Sequence, residues 1–228
     1  MKILLIIPTY NEAANVDILI PGVLKYDLDV MIIDDNSPDG TAEKITSAYK
    51  NEPRIKLMRR AVKSGLGSAY RDGFDFALEN GYTDVIMMDA DLSHPPEKIK
   101  ELIDSNADFA IGSRYVSGGG ISGWPWYRLL LSYAANKFAG FMLGIPVADI
   151  TAGFNRIRAG VLGSTGYNKF KTEGYGFLIE LKYRAWQKGF SFGEIPIVFS
   201  DRKNGSSKLG HSIILEAFWL VLRLSLKI

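Results

Sequence analysis

Two carboxylates stand two residues apart directly after an aliphatic run, in the sequence D-A-D-L-S-H-P-P that starts at Asp89. In an extended chain, Asp89 and Asp91 project from the same side and repel each other unless a cation lies between them. Hard oxygen ligands suit Mg²⁺ or Mn²⁺, and Mg²⁺ keeps positions for water and substrate phosphate. The pair therefore predicts a metal site, Asp89 and Asp91, that also takes a diphosphate. The alternative is a turn or N-cap signal before a helix at Pro96.

A second acidic turn, Asp34-Asp35 followed by S-P-D-G-T, comes after an earlier aliphatic run. Asp39 and Thr41 match helix caps, and a carboxylate at a strand end can bind a ribose hydroxyl or a base amide. No G-x-G-x-x-G follows the first aliphatic run and no P-loop is present, which disfavours hydride transfer with a dinucleotide.

Composition excludes several classes of protein. The 228 residues carry 27 Lys plus Arg against 25 Asp plus Glu, a formal net charge of +2, so no nucleic-acid partner is expected. The absence of Cys excludes a disulfide scaffold, a thiolate zinc site and a cysteine nucleophile. His94 and His211 alone cannot form a multi-histidine metal site.

Aliphatic runs alternate with amphipathic stretches through the first half of the chain. The predicted strands are Lys2–Ile7, Val30–Ile33, Ile55–Met58, Val85–Met88 and Phe109–Ile111. The predicted helices are Ala13–Leu24, Thr41–Tyr49, Gly67–Glu79, Pro96–Asp104, Tyr127–Leu143 and Gly176–Lys188. This rhythm predicts an α/β fold with a Rossmann-like, mostly parallel central sheet and helices on both faces. Ligands of such sheets bind beyond the carboxyl ends of the strands, where the acidic turns stand.

The segment from Ile213 to Ile228 predicts a C-terminal amphipathic helix. Ser212, Glu216, Arg223 and Lys227 fall within about 60° of one another at 100° per residue, and nearly all the remaining perimeter is apolar. Either this helix packs on its own domain, or it lies in a membrane interface or against a membrane partner. Trp124 and Trp126 leave the same choice between core packing and an interfacial anchor. The apolar stretches are interrupted by charged residues and Pro146, so no transmembrane helix is expected.

Taken together, these motifs resemble family 2 glycosyltransferases of the GT-A fold, and among them dolichol-phosphate mannose synthases and related polyprenyl-phosphate sugar transferases. The resemblance rests on the two acidic turns, P-T-Y-N-E from Pro8 and G-S-R-Y from Gly112. It continues in order through most of the chain, at Trp124, Arg128, Asn136, Gly153, Phe154, Gly174–Phe177, Glu180, Pro196, Ile197, Arg202, Gly205, Ser206 and Lys208.

The resemblance implies a role for each matching residue. Pro8, Tyr10 and Glu12 would hold the nucleotide base, with Ile33 and Asp35 around base and ribose. Ala90 and Asp91 would line the sugar-nucleotide site, with Mg²⁺ or Mn²⁺ on Asp89 and Asp91. Arg114, Arg128 and Arg202 would bind phosphates, and Lys208 would lie on a loop near the diphosphate. The candidate catalytic residues are thus Asp91, Arg114, Arg128 and Arg202.

Two positions depart from the family pattern. Many members carry Gln where Ser93 stands, so a metal ligand is lost or replaced by a hydroxyl or water. The usual S-G-F-R block reads A-G-F-N-R from Ala152 to Arg156, so a positive charge is moved or lost. A local reading of Glu180 makes it the buried partner of a nearby Arg, and a local reading of His94 makes it part of a turn.

The resemblance predicts a metal-dependent, inverting transfer of a hexose, mannose from GDP-mannose, to dolichyl or polyprenyl phosphate. Such an acceptor is already ionised at neutral pH and needs no general base, which agrees with the scarcity of His. The alternatives are a UDP-sugar donor (glucose or GlcNAc) with a polyprenyl-phosphate or polysaccharide acceptor, and a non-catalytic nucleotide-sugar-binding protein.

The resemblance also predicts organisation and location. We expect one GT-A domain over 1–228, with a nucleotide-sugar-binding half (1–112), an acceptor-binding half (113–211) and the amphipathic helix (212–228). It would be cytoplasmic and peripherally associated with the cytoplasmic face of a membrane. Its partners would be the nucleotide-sugar donor, the lipid phosphate, the membrane surface and a small membrane-anchored subunit.

Overall fold

A mixed sheet of seven strands forms the centre of the computed structural model, which describes residues 1–201 and 211–226, with the backbone alone for 211–215. Its strands are β1 (Ile3–Thr9), β2 (Asp29–Asp34), β3 (Ile55–Arg59), β4 (Asp84–Met87), β5 (Phe109–Ser113), β7 (Asn155–Arg158) and β8 (Phe192–Pro196). Two further strands, β6 (Gly120–Ser122) and β9 (Val198–Ser200), form a small parallel sheet. The order in the large sheet is β3-β2-β1-β4-β7-β5-β8, and only β7 runs antiparallel to its neighbours.

Helices cover both faces of the sheet, as predicted. They are α1 (Val16–Val23), α2 (Thr41–Ala48), α3 (Leu66–Glu79), α4 (Ile99–Asp104), α5 (Trp126–Leu143), α6 (Ala159–Thr165), α7 (Gly174–Gln187) and α8 (His211–Ser225). Alternate residues of β1 enter opposite cores: Leu4 and Ile6 pack with α3, α5, α7 and α8, whereas Leu5 and Ile7 pack with α1, α2 and α4. Burial on both faces explains why these strands are continuous aliphatic runs.

All five predicted strands are present, and the sheet is mostly parallel as expected. The strands β6 to β9 and helix α6 were not predicted. In β7, the sequence N-R-I-R carries no strand-like apolar pattern, yet Arg156 is fully buried there. Its guanidinium donates to the carbonyls of Leu102, Ser105 and Ala107, and these bonds stabilise an otherwise costly buried charge.

Helix α5 is unusual because an 18-residue, largely apolar helix buries only Asn136, Ala139 and Leu143. It packs against α8, where the rings of Phe138 and Phe218 stack at 5.3 Å. Among the described residues, no helix is long and apolar enough to cross a bilayer.

Candidate functional site

A cleft of about 350 Å³ opens at the carboxyl ends of β1, β2 and β4. Nine predicted site residues line it: Pro8, Tyr10, Glu12, Asp35, Asp89, Ala90, Asp91, Arg114 and Arg128. Ile33 does not, because its side chain is fully buried in the core beside Gly73 of α3. Arg202 and Lys208 lie outside the described residues. The fold thus brings both acidic turns together with Arg114 and Arg128.

The turns after the three strands have strained backbones. Asn11, Asn36 and Leu92 have φ of 62°, 57° and 63°, and they are the non-glycine residues with positive φ in the described part of the chain. Asn tolerates this left-handed conformation, but Leu does so only at a cost of about 1–3 kcal/mol. One such residue in each turn points to a backbone shape that the cleft requires.

The Asp34–Thr41 turn is held by its own side chains, but the helix-cap prediction for Asp39 or Thr41 is wrong, because the N-cap of α2 is Gly40 and no side chain caps it. Asp34 accepts from Thr9 and Ser37, and Asp39 accepts from the N–H and hydroxyl of Thr41. Asp35 instead lines the cleft, where its carboxylate lies 2.8 Å from an Arg60 nitrogen and accepts from the N–H of Gly65.

Asp91 is fixed by the residue that departs from the family pattern. The Ser93 hydroxyl and N–H donate to Asp91 Oδ1 at 2.5 and 3.1 Å. His94 Nδ1 accepts from the Asp89 N–H at 3.0 Å, and its ring stacks on Phe154. His94 therefore holds the turn, as its local reading predicted, while also lining the cleft.

The donor set of this turn fits a hard divalent cation. In the described part of the chain, no cluster of three or more His, Asp or Glu side chains could hold a metal alone, so a cation at this pair would need further ligands from substrate and water. Beneath the pair, the buried Tyr70 hydroxyl has no hydrogen-bond partner among the described residues. Burial raises the pKa of Tyr70, and the charges of Asp89 and Asp91 raise it further, so the phenol keeps its proton as a donor. Tyr70 does not line the cleft, so this phenol belongs to the core that surrounds the two carboxylates.

Lys63 also belongs to the cleft, although its sequence context gave no signal for it. Its ammonium lies 3.6 Å from the centre of the Tyr10 ring, and both side chains line the cleft. A cation over an aromatic face at this distance contributes about 0.5–1 kcal/mol at exposed sites. Lys63 thereby adds a positive charge to the wall formed by Tyr10 and Glu12.

Arg114 is oriented by Asp149, which the sequence reasoning missed. The carboxylate accepts from Arg114 Nε and a terminal nitrogen, each at 2.7 Å, and from the Arg114 N–H at 3.0 Å. Both residues are buried, and Thr151 binds the same guanidinium at 2.8 Å. The bidentate geometry fixes the plane of the guanidinium at the cleft wall.

Arg128 lies at the start of α5 and shares a neighbour with Arg114, whose guanidinium is 5.9 Å from the Trp124 ring centre. The Arg128 guanidinium stacks 3.9 Å from the Trp124 ring centre and lies 3.5 Å from Asp201. The Trp124 indole also donates to Asp201 at 3.3 Å. Trp124 therefore belongs to the cleft, whereas Trp126 is 76% exposed, which separates two tryptophans that the sequence treats alike.

Comparison with known proteins identifies the family. Residues 4–165 match the model of glycosyl transferase family 2. The chain belongs to this family. It is 43% identical to a polyprenol monophosphomannose synthase of Mycolicibacterium smegmatis over 226 residues, covering 96% of this chain and 85% of that protein. It is 38% identical to an undecaprenyl-phosphate mannosyltransferase of Micrococcus luteus, covering 95% and 91%. The chain is therefore a glycosyltransferase of the polyprenyl-phosphate sugar transferase type.

Solved structures agree with the GT-A architecture of this glycosyltransferase. Glucosyl-3-phosphoglycerate synthase of Mycobacterium tuberculosis, in complex with Mn²⁺, UDP and glucosyl-3-phosphoglycerate, superposes with a TM-score of 0.71. The match covers 98% of this chain and 80% of that one at 16% identity. The same protein in complex with Mg²⁺ and UDP gives a TM-score of 0.71 at 14% identity. At these identities the likeness shows the fold.

The structure shows where the side chains of the A-G-F-N-R block, which departs from the family pattern, lie in this glycosyltransferase. Arg156 donates to carbonyls of α4 and of the loop after it and does not line the cleft, so it does not replace a charge there. Asn155 is buried in β7 and donates to the carbonyl oxygen of Ala152 at 2.9 Å. Lys182 of α7 donates to the same oxygen at 2.7 Å. Glu180, on the same helix, accepts from Arg184 at 3.4 Å, in accord with its local reading.

Proposed function

We propose that this glycosyltransferase moves mannose from GDP-mannose to a polyprenyl phosphate, with inversion at the anomeric carbon and with bound Mg²⁺ or Mn²⁺. The observation that carries the proposal is a single cleft lined by Asp89, Asp91, Arg114 and Arg128. This cleft lies beside the N-terminal end of α5, whose apolar side chains are exposed. The names of the two mannosyl-transferring relatives support the sugar and the acceptor class.

The donor would occupy the side of the cleft formed by the first two strand ends. Pro8, Tyr10 and Glu12 offer an apolar edge, an aromatic face and a carboxylate to the base, and Asp35 lies beside them for the ribose. Asp89 and Asp91 would hold the cation, which when bound neutralises charge on the donor diphosphate. Arg114 would contact the same diphosphate through Nη1, because Nε and Nη2 donate to Asp149 and Thr151.

The acceptor phosphate would approach from the Arg128 side. One of its oxygens attacks the anomeric carbon as the bond from that carbon to the diphosphate breaks, and GDP leaves with the bonding electron pair. A single displacement of this kind inverts the configuration. Because the attacking phosphate is already ionised, the protein supplies orientation and electrostatic stabilisation rather than a general base.

Radiolabelled GDP-mannose incubated with polyprenyl phosphate and Mg²⁺ tests the proposal. We expect label to move into the organic phase, the product to have the inverted anomeric configuration by NMR coupling constants, and EDTA to stop transfer until Mg²⁺ or Mn²⁺ is restored. UDP-glucose and UDP-GlcNAc are compared in parallel. Transfer from a UDP-sugar but not from GDP-mannose would refute the assignment of GDP-mannose as the donor. Activity that survives EDTA would refute the metal requirement.

Replacing Arg128 with Gln should chiefly weaken acceptor use. A lost charge-assisted hydrogen bond to phosphate is worth about 1.5–3 kcal/mol, so we expect KM for polyprenyl phosphate to rise about ten- to a hundredfold. Steady-state kinetics with each substrate varied in turn measure this. The control is Lys137→Gln, an exposed cation on the same helix that does not line the cleft. An unchanged acceptor KM, or an equal rise in donor KM, contradicts the assignment.

The acceptor's hydrocarbon chain suggests what covers α5 and α8. Large apolar side chains of both helices are exposed and form what we call the α5–α8 apolar surface: Trp126, Leu130, Leu131 and Phe141 with Phe218 and Trp219. Its α5 residues lie on the helix that carries Arg128. Exposed apolar patches of this kind mark membrane or protein interfaces. We assign it to the bilayer surface, because a lipid bound at Arg128 must leave the cleft beside it.

This assignment refines the two readings of the C-terminal helix. Leu220, Val221 and Leu224 are buried in the core, while Phe218 and Trp219 of the same helix are 44% and 67% exposed. One side of α8 therefore packs on its own fold, and the proposal places the other side against lipid.

The double replacement Trp126→Ser and Leu130→Ser tests the surface. Both side chains are more than half exposed, so the unfolding temperature should change little, while sedimentation with phospholipid vesicles should fall about tenfold or more. The control replaces Ile18, 63% exposed on α1 at the opposite face of the sheet, with Ser. Vesicle binding unchanged in the double variant would refute the bilayer assignment, and binding that requires a membrane-anchored protein in the vesicle would assign the surface to that subunit.

A further inference from the structure

A lysine is fully buried beneath the wall of the cleft. Lys182 of α7 has no exposed surface, and its Nζ donates to the Ala152 carbonyl oxygen while lying 5.6 Å from the Phe109 ring centre. Ala152 itself lines the cleft. A buried ammonium is costly unless other groups compensate it, so its presence directly below the site calls for a reason.

Lys182 belongs to a cluster of four ionisable groups, in which Arg114 and Asp149 are also buried and Glu194 is partly exposed. Among the described residues, the charges of Arg114 after β5, Asp149 in the turn before β7 and Glu194 in β8 act on Lys182. Ala152, which Lys182 binds, lies in the Asp149 turn and donates its N–H to the Asp149 carbonyl oxygen. Glu194 accepts from the N–H groups of Ala148 and Asp149, and Asp149 in turn holds Arg114. With Lys182 protonated, two cations balance two carboxylates. With Lys182 neutral, the cluster that carries Arg114 has a net charge of −1.

We propose that Lys182 sets the charge behind Arg114 and thereby makes the affinity for the anionic donor depend on pH near neutrality. This rests on the proposed function, since it takes the ligand at Arg114 to be the diphosphate of a nucleotide sugar. Protonated Lys182 offsets the carboxylates, so Arg114 attracts phosphate more strongly. Neutral Lys182 leaves the field of Asp149 and Glu194 uncompensated, and phosphate binds less tightly.

The surroundings of Lys182 also bring its pKa close to neutral pH. Burial lowers the pKa of Lys182 to about 7; Asp149 and Glu194 oppose this shift, and Arg114 adds to it. Lys182 is therefore protonated below neutrality and neutral above it. Donor affinity should be highest at the acidic side and fall as pH rises through about 7.

The same pKa has a consequence for stability with a definite sign. In the unfolded chain the lysine titrates near its ordinary value of 10.5, so between about pH 7 and 10 the unfolded chain binds more protons than the folded one. The free energy of unfolding should therefore rise with pH across this window.

Lys182→Met separates the charge from the geometry. Asn155 still donates to the Ala152 oxygen, so the turn keeps one of its two donors, while the buried charge is lost. Lys188→Met is the matched control, because it removes an exposed lysine from the end of the same helix.

The measurement is calorimetric titration of GDP-mannose with Mg²⁺ between pH 6 and 8.5. This ligand has no phosphate monoester that titrates near pH 6. We expect the dissociation constant of the wild type and of Lys188→Met to rise about three- to tenfold over this range. For Lys182→Met, we expect the dissociation constant to be high and nearly independent of pH. The rise of stability with pH, followed by urea unfolding, should also be absent from Lys182→Met.

Glu194→Gln removes a carboxylate that favours protonated Lys182, so the affinity midpoint should shift to lower pH, even if Lys182→Met fails to fold. If donor affinity depends on pH in Lys182→Met and in Glu194→Gln as it does in the wild type, the proposed role of Lys182 is wrong. If the wild type binds no GDP-mannose at any pH, the donor in the proposed function is wrong, and titration with UDP-glucose then tests Lys182 in the same way.

Discussion

Replacing Asp91 with Asn should lower kcat/KM for sugar transfer about a thousandfold, equivalent to about 4 kcal/mol of transition-state stabilisation. Asn keeps the size and the hydrogen-bonding oxygen that Ser93 binds, but it removes the negative charge that would hold a cation against the diphosphate. Initial rates of mannose transfer to polyprenyl phosphate give this number. A thermal-shift titration with GDP and Mn²⁺ should show stabilisation by Mn²⁺ in the wild type and none in the variant.

The control for this substitution is Asp104→Asn. Asp104 ends α4, where it pairs with Lys100 on the surface, so the change removes one carboxylate without touching the cleft. We expect its transfer rate to match the wild type. Transfer by Asp91→Asn within tenfold of the wild-type rate would show that the pair does not hold a cation needed for catalysis.

Replacing Asp149 with Asn should cost about 3 kcal/mol of the free energy of unfolding and most of the activity. The substitution leaves the Arg114 guanidinium buried without the carboxylate that accepts two of its hydrogen bonds, and an uncompensated buried charge is strongly destabilising. Urea unfolding followed by circular dichroism measures the first effect. Activity assayed well below the unfolding transition measures the second.

The exposed Lys100–Asp104 pair again provides the comparison for Asp149. Solvent and salt screen ion pairs at the surface, so Asp104→Asn should leave the unfolding midpoint nearly unchanged. If Asp149→Asn unfolds at the same urea concentration as Asp104→Asn, the buried pair does not stabilise the fold. If Asp149→Asn is destabilised yet fully active when folded, Arg114 does not need its orientation for catalysis.

Much of the candidate site could be predicted because its residues stand in local, recognisable turns. The three strand ends bring Tyr10, Asp35 and Asp91 into one cleft, since parallel strands end at the same edge of the sheet. The non-glycine residues with positive φ also lie in these turns, and two of the three are Asn, which sequence alone marks as suited to them.

Other site residues could not be found in this way because their partners are distant in the chain. Asp149 binds Arg114, which lies 35 residues away in the sequence, and Lys182 binds Ala152, which lies 30 residues away. Tyr70 sits in an ordinary amphipathic helix pattern, which predicts packing and gives no sign of the carboxylates near it. Local patterns record which face of an element is buried, and they carry no information on which element packs against it.

By itself, the sequence determined the alternating α/β order, the acidic turns at the strand ends and the family resemblance, because hydrophobic period and turn chemistry act over a few neighbouring residues. The tertiary structure alone decided how the charges are paired. It bound Arg156 to carbonyl groups outside the cleft, placed Lys182 next to the cleft-lining Ala152, and put Trp124 in the cleft wall while leaving Trp126 exposed. A charge finds its partner according to which groups the fold removes from water together, and that depends on packing between segments far apart in the chain.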